Sequence, residues 1–455
     1  MRLIHRCLLL SLLVSPLACE VGEAGEVPYV AGPSVLGTVE LAATALKNLQ
    51  LYANASGKHA TFSTGGKTQL THAFFKPIGT NGRACATCHE PANGWSLTPA
   101  HIEKRFDATG GSDPLFRPVD TSNHPAAAVS TVDARRAAYS LFRTRGVVRF
   151  TFAPPPGAEF QLLFSDDPYG NDANLGITVF RRPPAATGMK FLKAVMWDGR
   201  GLRPDDLATG GLTGALKEQA NDAHLLHAQA AAGLSDSAKT AIAALEVGNF
   251  TAQETDAAVG SLTAAKGRGG AKELSAEAGA AGPFTLYDAW SATGKKKAAA
   301  RAAVRRGQDL FNTLPITITG VRGLNSDAVP VVNGTCGTCH DAANVGSQST
   351  FSTFDIGVSA ASRRPADLPL HTLVNTTTGE SVSLTDPGRA LVTGLWSDFG
   401  RFKSPSLRGL ASRPPYFHDG TAATIEAVID FYDGRFQMAM TPEDKADMAA
   451  FLRAL

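Results

Sequence analysis

The chain contains the pentapeptide Cys85-Ala86-Thr87-Cys88-His89 and, much later, the pentapeptide Cys336-Gly337-Thr338-Cys339-His340. Both read C-x-x-C-H, which is the attachment signature of a c-type haem. In this motif the two thiols add to the haem vinyl groups, and the histidine that follows binds the iron as proximal ligand. The two motifs predict two covalently bound haems, with His89 and His340 as iron ligands.

Cysteine usage supports this interpretation. The chain has six cysteines, of which Cys7 and Cys19 lie near the N-terminus and the other four all belong to the two motifs. The alternatives are one zinc site built from both pairs and a thioredoxin-like dithiol. Zinc-binding pairs usually lie closer together, and neither alternative needs a histidine directly after each pair.

Length and charge set broad limits. A chain of 455 residues can form two or three domains with separate cores. The net charge of +2 gives no indication of a nucleic-acid partner. Charged residues make up only 18% of the chain, which is typical of small, loop-rich domains packed around prosthetic groups.

The first 19 residues resemble a signal peptide. Arg2 and Arg6 precede a short apolar run, and Pro16-Leu17-Ala18 follows it. The run is too short to span a bilayer. This pattern predicts export to the periplasm, where haem c is attached. Cys19 is a candidate for a lipid anchor, with cleavage to a soluble exported protein as the alternative.

Each haem motif has helical sequence before and after it. We therefore predict a mainly α fold with two cytochrome c-like domains, at residues 20–294 and 295–455. An insertion at residues 100–180 is rich in Pro and Asp. Within the insertion, residues 147–152 and 159–164 flank a Pro-Gly turn and predict a small β-hairpin.

Local patterns predict further helices. The spacing of leucines over residues 42–52 predicts a helix. Thr424 and Thr441 are predicted N-caps of two closing helices, and Pro442 occupies the first helical position of the second.

Three further segments resemble the bacterial di-haem cytochrome c peroxidases and the related MauG-type enzymes. They are MWDGR at residues 196–200 followed by LKEQA at 216–220, RFKSPSLR at 401–408, and PYFHDGTAAT at 415–424. The resemblance covers residues 180–230 and 300–455. It does not extend over the insertion or residues 231–295, so the chain resembles a divergent member.

The resemblance implies that the two haems divide the work. The C-terminal haem is six-coordinate and handles electrons, and peroxide binds at an open position of the N-terminal haem. Trp197, in the W-D-G-R motif, would lie between the haems and help electrons to pass, with a packing role as the alternative. His418, Lys403 and Arg408 would serve the C-terminal haem through hydrogen bonds and pairing with its propionates.

The resemblance also points to a sixth ligand of the C-terminal haem. In the peroxidases a Met lies fourteen residues after the His of F-H-D-G, and this chain has Tyr432 there, as MauG-type enzymes do. A phenolate stabilises higher oxidation states of iron. The competing ligands are Met438 and Met440.

On the open side of the N-terminal haem, relatives use a Gln in L-x-E-Q-A and an acid/base Glu ten residues later. Gln219 matches the first, but Gln229 stands at the second, and an amide cannot accept a proton. Glu218 would take the acid/base role if the alignment shifts, and His224 and His227 are further candidates for this role. The switchable distal His of the peroxidases corresponds to Asn174, and the sequence has no His nearby. The resemblance therefore implies that the N-terminal haem is open.

Two cations stand near the family's calcium site. Arg182 replaces an Asn ligand and Arg413 stands at one of the carbonyl positions, so we predict no calcium site or a much weakened one. A basic cluster at the start of the C-terminal half is either a docking site for an acidic redox partner or a solvated helix face. It consists of Lys295, Lys296, Lys297, Arg301, Arg305 and Arg306.

These features predict an exported di-haem oxidoreductase that activates hydrogen peroxide, or dioxygen, at the N-terminal haem. Electrons would come from a small redox protein or a small-molecule donor through the C-terminal haem. The alternative is a non-enzymatic electron-transfer cytochrome with both irons six-coordinate. It is favoured by the missing acid/base Glu and by Met438 and Met440.

Overall fold

The computed structural model describes residues 44–201, 211–291 and 297–455. The predicted signal peptide, Cys19, Lys295 and Lys296 lie outside these residues. In the described ranges, no helix combines the length and the apolar character that a membrane span needs.

Helices in the described residues run from short turns to sixteen-residue elements. In chain order they are α1 (Cys85–Cys88), α2 (Pro99–Thr109), α3 (Val132–Ala138), α4 (Ser140–Arg145), α5 (Gly211–Leu226), α6 (Asp236–Gly248), α7 (Ala271–Ala276), α8 (Ala298–Thr313), α9 (Ala390–Thr393), α10 (Ile425–Phe436) and α11 (Pro442–Arg453).

Short strands lie between residues 45 and 69, 148 and 181, 249 and 261, and 316 and 384. They are β1 (Ala45–Lys47), β2 (Tyr52–Asn54), β3 (Gly57–Ser63), β4 (Lys67–Gln69), β5 (Val148–Phe152), β6 (Phe160–Asp166), β7 (Ile177–Arg181), β8 (Asn249–Asp256), β9 (Gly260–Ser261), β10 (Ile316–Thr319), β11 (Val331–Gly334), β12 (Leu370–Asn375) and β13 (Ser381–Leu384).

These strands form small antiparallel sheets, with the orders β1-β4, β10-β11, β13-β12-β6, β2-β3-β8-β9 and β5-β7. The prediction of a mainly α fold is therefore right only in part. The helix predicted over residues 42–52 is wrong, because its described residues contribute to β1 and β2. Leu49 between them has a left-handed φ of 58°, which breaks a helix.

The predicted hairpin is also wrong, although both of its strands exist. β5 pairs with β7, from Val148 opposite Arg181 to Phe152 opposite Ile177, and β6 pairs with β12. Phe160 of β6 packs with Leu373 of β12 in one buried cluster. The apolar pattern of a strand shows that it has a buried face, but a distant segment can provide the partner edge.

The two closing helices begin where predicted. The Thr424 side chain accepts a hydrogen bond from the Ala427 N–H, and Thr441 forms a capping box with Asp444. Helix α11 packs closely on α8, because Gly307 of α8 would place any Cβ within 2.0 Å of the Asp447 carbonyl oxygen. These helices provide much of the largest core.

Buried ion pairs connect residues far apart in sequence. Arg181, at the end of β7, binds Asp198 at 2.5 Å and Asp386 at 2.6 Å, and all three side chains are buried. The predicted division at residue 294 stays a prediction. The strand pairing of β6 with β12 shows that the insertion contacts the C-terminal half of the chain.

Candidate functional site

The first haem motif lines a cavity, which we call the first cavity. Helix α1 is a single turn with Cys85 and Cys88 at its ends, so both thiols lie on one side of the turn. His89 follows and lines the same cavity. Its Nδ1 lies 3.0 Å from the Trp95 carbonyl oxygen, to which it donates, so that Nε2 is the nitrogen left to bind a metal.

The second motif repeats this arrangement at the second cavity. Cys336 begins a 3₁₀ turn, and Thr335 and Thr338 cap it reciprocally. The thiols of Cys336 and Cys339 and the ring of His340 line this cavity. The Nδ1 of His340 lies 2.5 Å from the Gly346 carbonyl oxygen. Burial lowers the pKa of His89 and of His340, which favours the neutral imidazole that iron needs.

The two alternatives to haem require a different arrangement of the thiols. A shared zinc site requires both pairs in one place, but they line separate cavities, and no cluster of metal-ligating side chains occurs in the described residues. A redox dithiol requires a lowered pKa. Burial instead raises the pKa of Cys85 to about 12 and that of Cys88 to about 11.

Trp197 lines both cavities, as do residues 182–185. Its indole N–H donates to the Arg182 carbonyl at 2.8 Å, and its own carbonyl accepts from the Lys403 N–H at 2.9 Å. The indole also lies edge-on to the His418 ring, with centroids 6.4 Å apart. We call this segment, residues 182–185 with Trp197, the shared wall.

All three candidate sixth ligands line the second cavity. Tyr432 lies on α10, and Met438 and Met440 follow the helix. Within the described part of the chain, nothing hydrogen-bonds the Tyr432 hydroxyl, and burial raises the pKa of this phenol. The hydroxyl is therefore available to a ligand in the cavity, and so are both thioethers.

Lys403 and His418 line the second cavity as buried polar groups without a full set of partners. Burial lowers the pKa of Lys403 to about 8, against the charge of Asp198, and no acceptor in the described ranges bonds its ammonium. The His418 ring stacks on the Phe402 ring with centroids 4.0 Å apart, and its Nε2 makes no hydrogen bond, although the Asp386 Oδ2 lies 3.6 Å away. Buried donors of this kind suit an anionic ligand such as a haem propionate.

Arg408 does not line either cavity, which corrects its prediction as a cofactor-binding residue. Its guanidinium donates to the backbone carbonyls of Leu455 at 3.2 Å, Asn344 at 2.7 Å and Gly270 at 3.0 Å. All of its nitrogens are used in this way. Arg408 therefore connects three separate backbone segments and is not available to a propionate.

One face of α5 forms a wall of the first cavity. Gln219 lies on this face and lines the cavity. Glu218 points away from it and is exposed, and Gln229 lies beyond the helix end. Gln229 has a φ of 50°, and its side-chain oxygen accepts from the Asn81 amide at 3.1 Å. Neither Glu218 nor Gln229 is brought to the cavity.

The first cavity has titratable groups that the sequence did not identify. Asp120, from the insertion, lines it and pairs with His227 at 2.7 Å. Glu246 of α6 also lines it, and burial raises the pKa of this carboxyl to about 8. Glu246 follows Ile242 by one helical turn on a buried face, and this lone carboxylate on an apolar face was a detectable signal. Asp120 had none.

Arg182 places its guanidinium among backbone carbonyls. It donates to Leu97 at 2.7 Å, Arg145 at 2.8 Å and Arg413 at 3.2 Å. Burial, together with the charge of Arg413, lowers the pKa of Arg182 to about 9. The buried Arg182 guanidinium thus contacts the backbone just before the Y-F-H-D-G segment.

The described part of the basic cluster is largely neutralised. Arg305 pairs with Asp309 at 2.8 Å and Arg306 with Asp447 at 2.6 Å. Arg301 lies over the Trp290 ring at 5.6 Å. These contacts favour the solvated helix face over a docking site.

No protein-family model matches the chain. Several curated relatives match part of it. Cytochrome-c peroxidase IdrP1 of Denitromonas iodatirespirans is 33% identical over 81 residues, which is 15% of this chain and 22% of that protein. Cytochrome c551 peroxidase of Nitrosomonas europaea is 40% identical over 70 residues, which is 15% of this chain and 21% of that protein.

The resemblance to cytochrome c peroxidases is confirmed. The chain matches only about a fifth of the length of these curated relatives. Among solved structures, a MauG-like protein associated with microbial copper homeostasis is 16% identical, with a TM-score of 0.36 over 84% of this chain and 86% of that one. Hydrazine synthase of Kuenenia stuttgartiensis is 15% identical, with a TM-score of 0.33 over 79% and 93%. Scores of this size carry no structural argument.

Proposed function

We propose that this chain is an exported di-haem c-type oxidoreductase that reduces hydrogen peroxide at the first cavity. Electrons reach this cavity from the second cavity across the shared wall. The observation that carries the proposal is that Trp197 lines both cavities, each of which has its own C-x-x-C-H motif. The peroxidase relatives supply the substrate class.

The chain's own residues fit a haem in each cavity. Cys85 and Cys88 would hold one haem, and Cys336 and Cys339 the other. His89 and His340 offer Nε2 to the iron because their Nδ1 atoms are already hydrogen-bonded, and burial favours the neutral ring. When bound, the haem supplies a redox-active iron that can bind and reduce peroxide.

In the second cavity, Tyr432 is the proposed sixth ligand. Its hydroxyl faces a space that Lys403 and His418 also line. Lys403 and His418 would receive the haem propionates, since each has a buried nitrogen that makes no hydrogen bond within the described residues. This capped site would pass electrons from a small redox protein or a small-molecule donor.

In the shared wall, the Arg182 guanidinium would do the work of a bound metal ion. It holds carbonyl oxygens from segments around residues 97, 145 and 413. We therefore propose that the protein needs no calcium.

A specific observation also favours a second function, that of an electron-transfer cytochrome. Met438 and Met440 line the second cavity, while His224 and His227 line the first. If these residues capped both irons, neither site would bind peroxide.

The test is peroxide consumption by the exported holoprotein with a small ferrous c-type cytochrome as electron donor. The proposal predicts oxidation of two donor equivalents per peroxide and no turnover without peroxide. Oxidation of the donor with dioxygen alone would show that dioxygen, and not peroxide, is the substrate. Absence of turnover with either oxidant would support the electron carrier.

A further inference from the structure

The first cavity has the geometry of a proton-transfer site in which a histidine and an aspartate replace the missing glutamate. Helix α5 ends at Leu226, but the His227 N–H still donates to the Ala223 carbonyl at 2.9 Å. The helical path therefore continues as far as His227. Eight residues, about two turns, separate it from Gln219, so both side chains lie on the face that lines the cavity.

Asp120 fixes the orientation of the His227 ring. The Asp120 Oδ2 lies 2.7 Å from His227 Nδ1. Burial opposes ionisation of this carboxyl, but the charge of Arg83 and the bond to His227 outweigh it and lower its pKa. An ionised carboxylate only accepts hydrogen bonds, so Nδ1 carries the proton and Nε2 is the basic nitrogen.

Arg83 locks both members of the pair. Its Nη1 donates to both Asp120 oxygens at 2.7 Å and to the His227 backbone carbonyl at 3.0 Å. Phe150, from β5, lies edge-on to the imidazole with centroids 5.5 Å apart. The aspartate and the phenylalanine both come from the insertion, which therefore builds part of this cavity.

The other groups of the cavity are less suited to proton transfer. Gln219 has an amide, which cannot take up a proton. Glu246 lies near Cys85, and its Oε2 has no hydrogen-bond partner to fix it. The His224 ring has no hydrogen-bond partner in the described residues. Among the described residues that line the cavity, only His227 combines a basic nitrogen with a ring that a buried carboxylate orients.

We propose that His227 is the acid/base group for peroxide cleavage in the first cavity, with Asp120 as its positioning residue. This inference rests on the proposed function. His227 Nε2 would accept a proton from one peroxide oxygen and return it to the other. The O–O bond would break as the doubly protonated oxygen leaves as water. Two electrons from two donor equivalents and two protons from solvent would convert the remaining oxygen to a second water.

Cyanide binding to the ferric holoprotein tests this role without turnover. Hydrogen cyanide must lose its proton as it binds iron, so a nearby base speeds association. His227→Gln should slow association on the order of 10²- to 10⁴-fold, the range of general acid–base catalysis. Asp120→Asn should slow it roughly 10- to 100-fold, as for other partners that orient a histidine. His124→Gln, in the insertion but outside the cavity, is the matched control and should change nothing.

Haem content and the EPR spin state of His227→Gln should equal those of the wild type. An unchanged cyanide association rate in His227→Gln would overturn the proposal. So would faster association with a change from low to high spin, since His227 would then be an iron ligand.

The two proposals fail in different ways. If the wild type consumes no peroxide but His227→Gln still slows cyanide association, the proposed peroxide chemistry fails and the base is retained. If the wild type consumes peroxide and His227→Gln does so equally well, only the role of His227 fails.

Discussion

The indole N–H of Trp197 donates to the backbone carbonyl of Arg182 at 2.8 Å, within the wall that the two cavities share. The same arginine residue donates its backbone N–H to the His418 carbonyl at 2.6 Å. The Trp197 ring is thus held by Arg182, whose own guanidinium is fixed among carbonyl oxygens. Arg182 therefore fixes both the Trp197 ring and the backbone of the shared wall.

Trp197→Phe should slow electron transfer between the two haems, because the phenyl ring loses the hydrogen bond to Arg182 and part of the bridging ring. Stopped-flow reoxidation of the reduced protein by peroxide measures this rate. Trp290→Phe is the control, since Trp290 is buried against Tyr287 and lines neither cavity. Equal rates in Trp197→Phe and wild type would remove Trp197 from the electron path.

Cys88→Ala should lower the content of covalent haem, because one of the two thioether bonds of the first cavity is lost. The haem content of denatured protein, measured by its optical spectrum, should fall, and Cys339→Ala should have the matching effect at the second cavity. Full covalent haem content in both variants would contradict the attachment sites.

Tyr432→Phe should change the EPR and optical spectra of the second haem, since the proposed oxygen ligand is removed while the ring is kept. Met438→Leu and Met440→Leu should leave these spectra unchanged. The opposite pattern would assign the sixth position to a thioether.

Asp198 should make stability fall at acid pH. Burial alone would raise the pKa of this carboxyl, but the charges of Arg181 and Arg200 lower it well below the usual range. Its folded pKa therefore lies below its unfolded pKa of about 3.9. The stabilisation is complete above that value and is lost as the pH falls through the folded pKa.

Asp198→Asn should cost about 3–5 kcal/mol in the free energy of unfolding, because Arg181 and Arg200 lose a buried partner. Denaturant titration at neutral pH measures this loss. Asp236→Asn, at an exposed pair with Lys217, should change stability little. Similar stability losses in both variants would contradict the account.

Arg182→Met should destabilise the shared wall by at least about 2 kcal/mol, since buried carbonyls lose their donor at about 1–3 kcal/mol each. Treatment of the wild type with a calcium chelator should leave peroxide consumption unchanged. Loss of activity on chelation would show that a metal ion, and not Arg182, holds this segment.

The short motifs were the features that sequence could define well. A C-x-x-C-H pentapeptide places the attachment cysteines and the candidate iron ligand within one helical turn. His89 and His340 could therefore be predicted as ligands without knowledge of the fold. Thr424 and Thr441 were equally local, because a cap depends only on neighbouring residues.

Features that depend on distant partners were missed. The strands β5 and β6 were visible in the sequence, but β7 and β12 supply their partner edges. Counting along the chain placed Gln229 in the first cavity, yet the left-handed backbone at this residue turns it toward Asn81. Asp120 lies over a hundred residues from its partner His227, and no pattern in the sequence connects them.

The most direct test of the central claim is EPR spectroscopy of the ferric holoprotein before and after addition of hydrogen peroxide. The account predicts a high-spin signal from the first haem that disappears with peroxide, together with a second haem that is six-coordinate. Two low-spin signals that do not respond to peroxide, even after partial reduction, would show that both irons are capped and would contradict the proposed oxidoreductase.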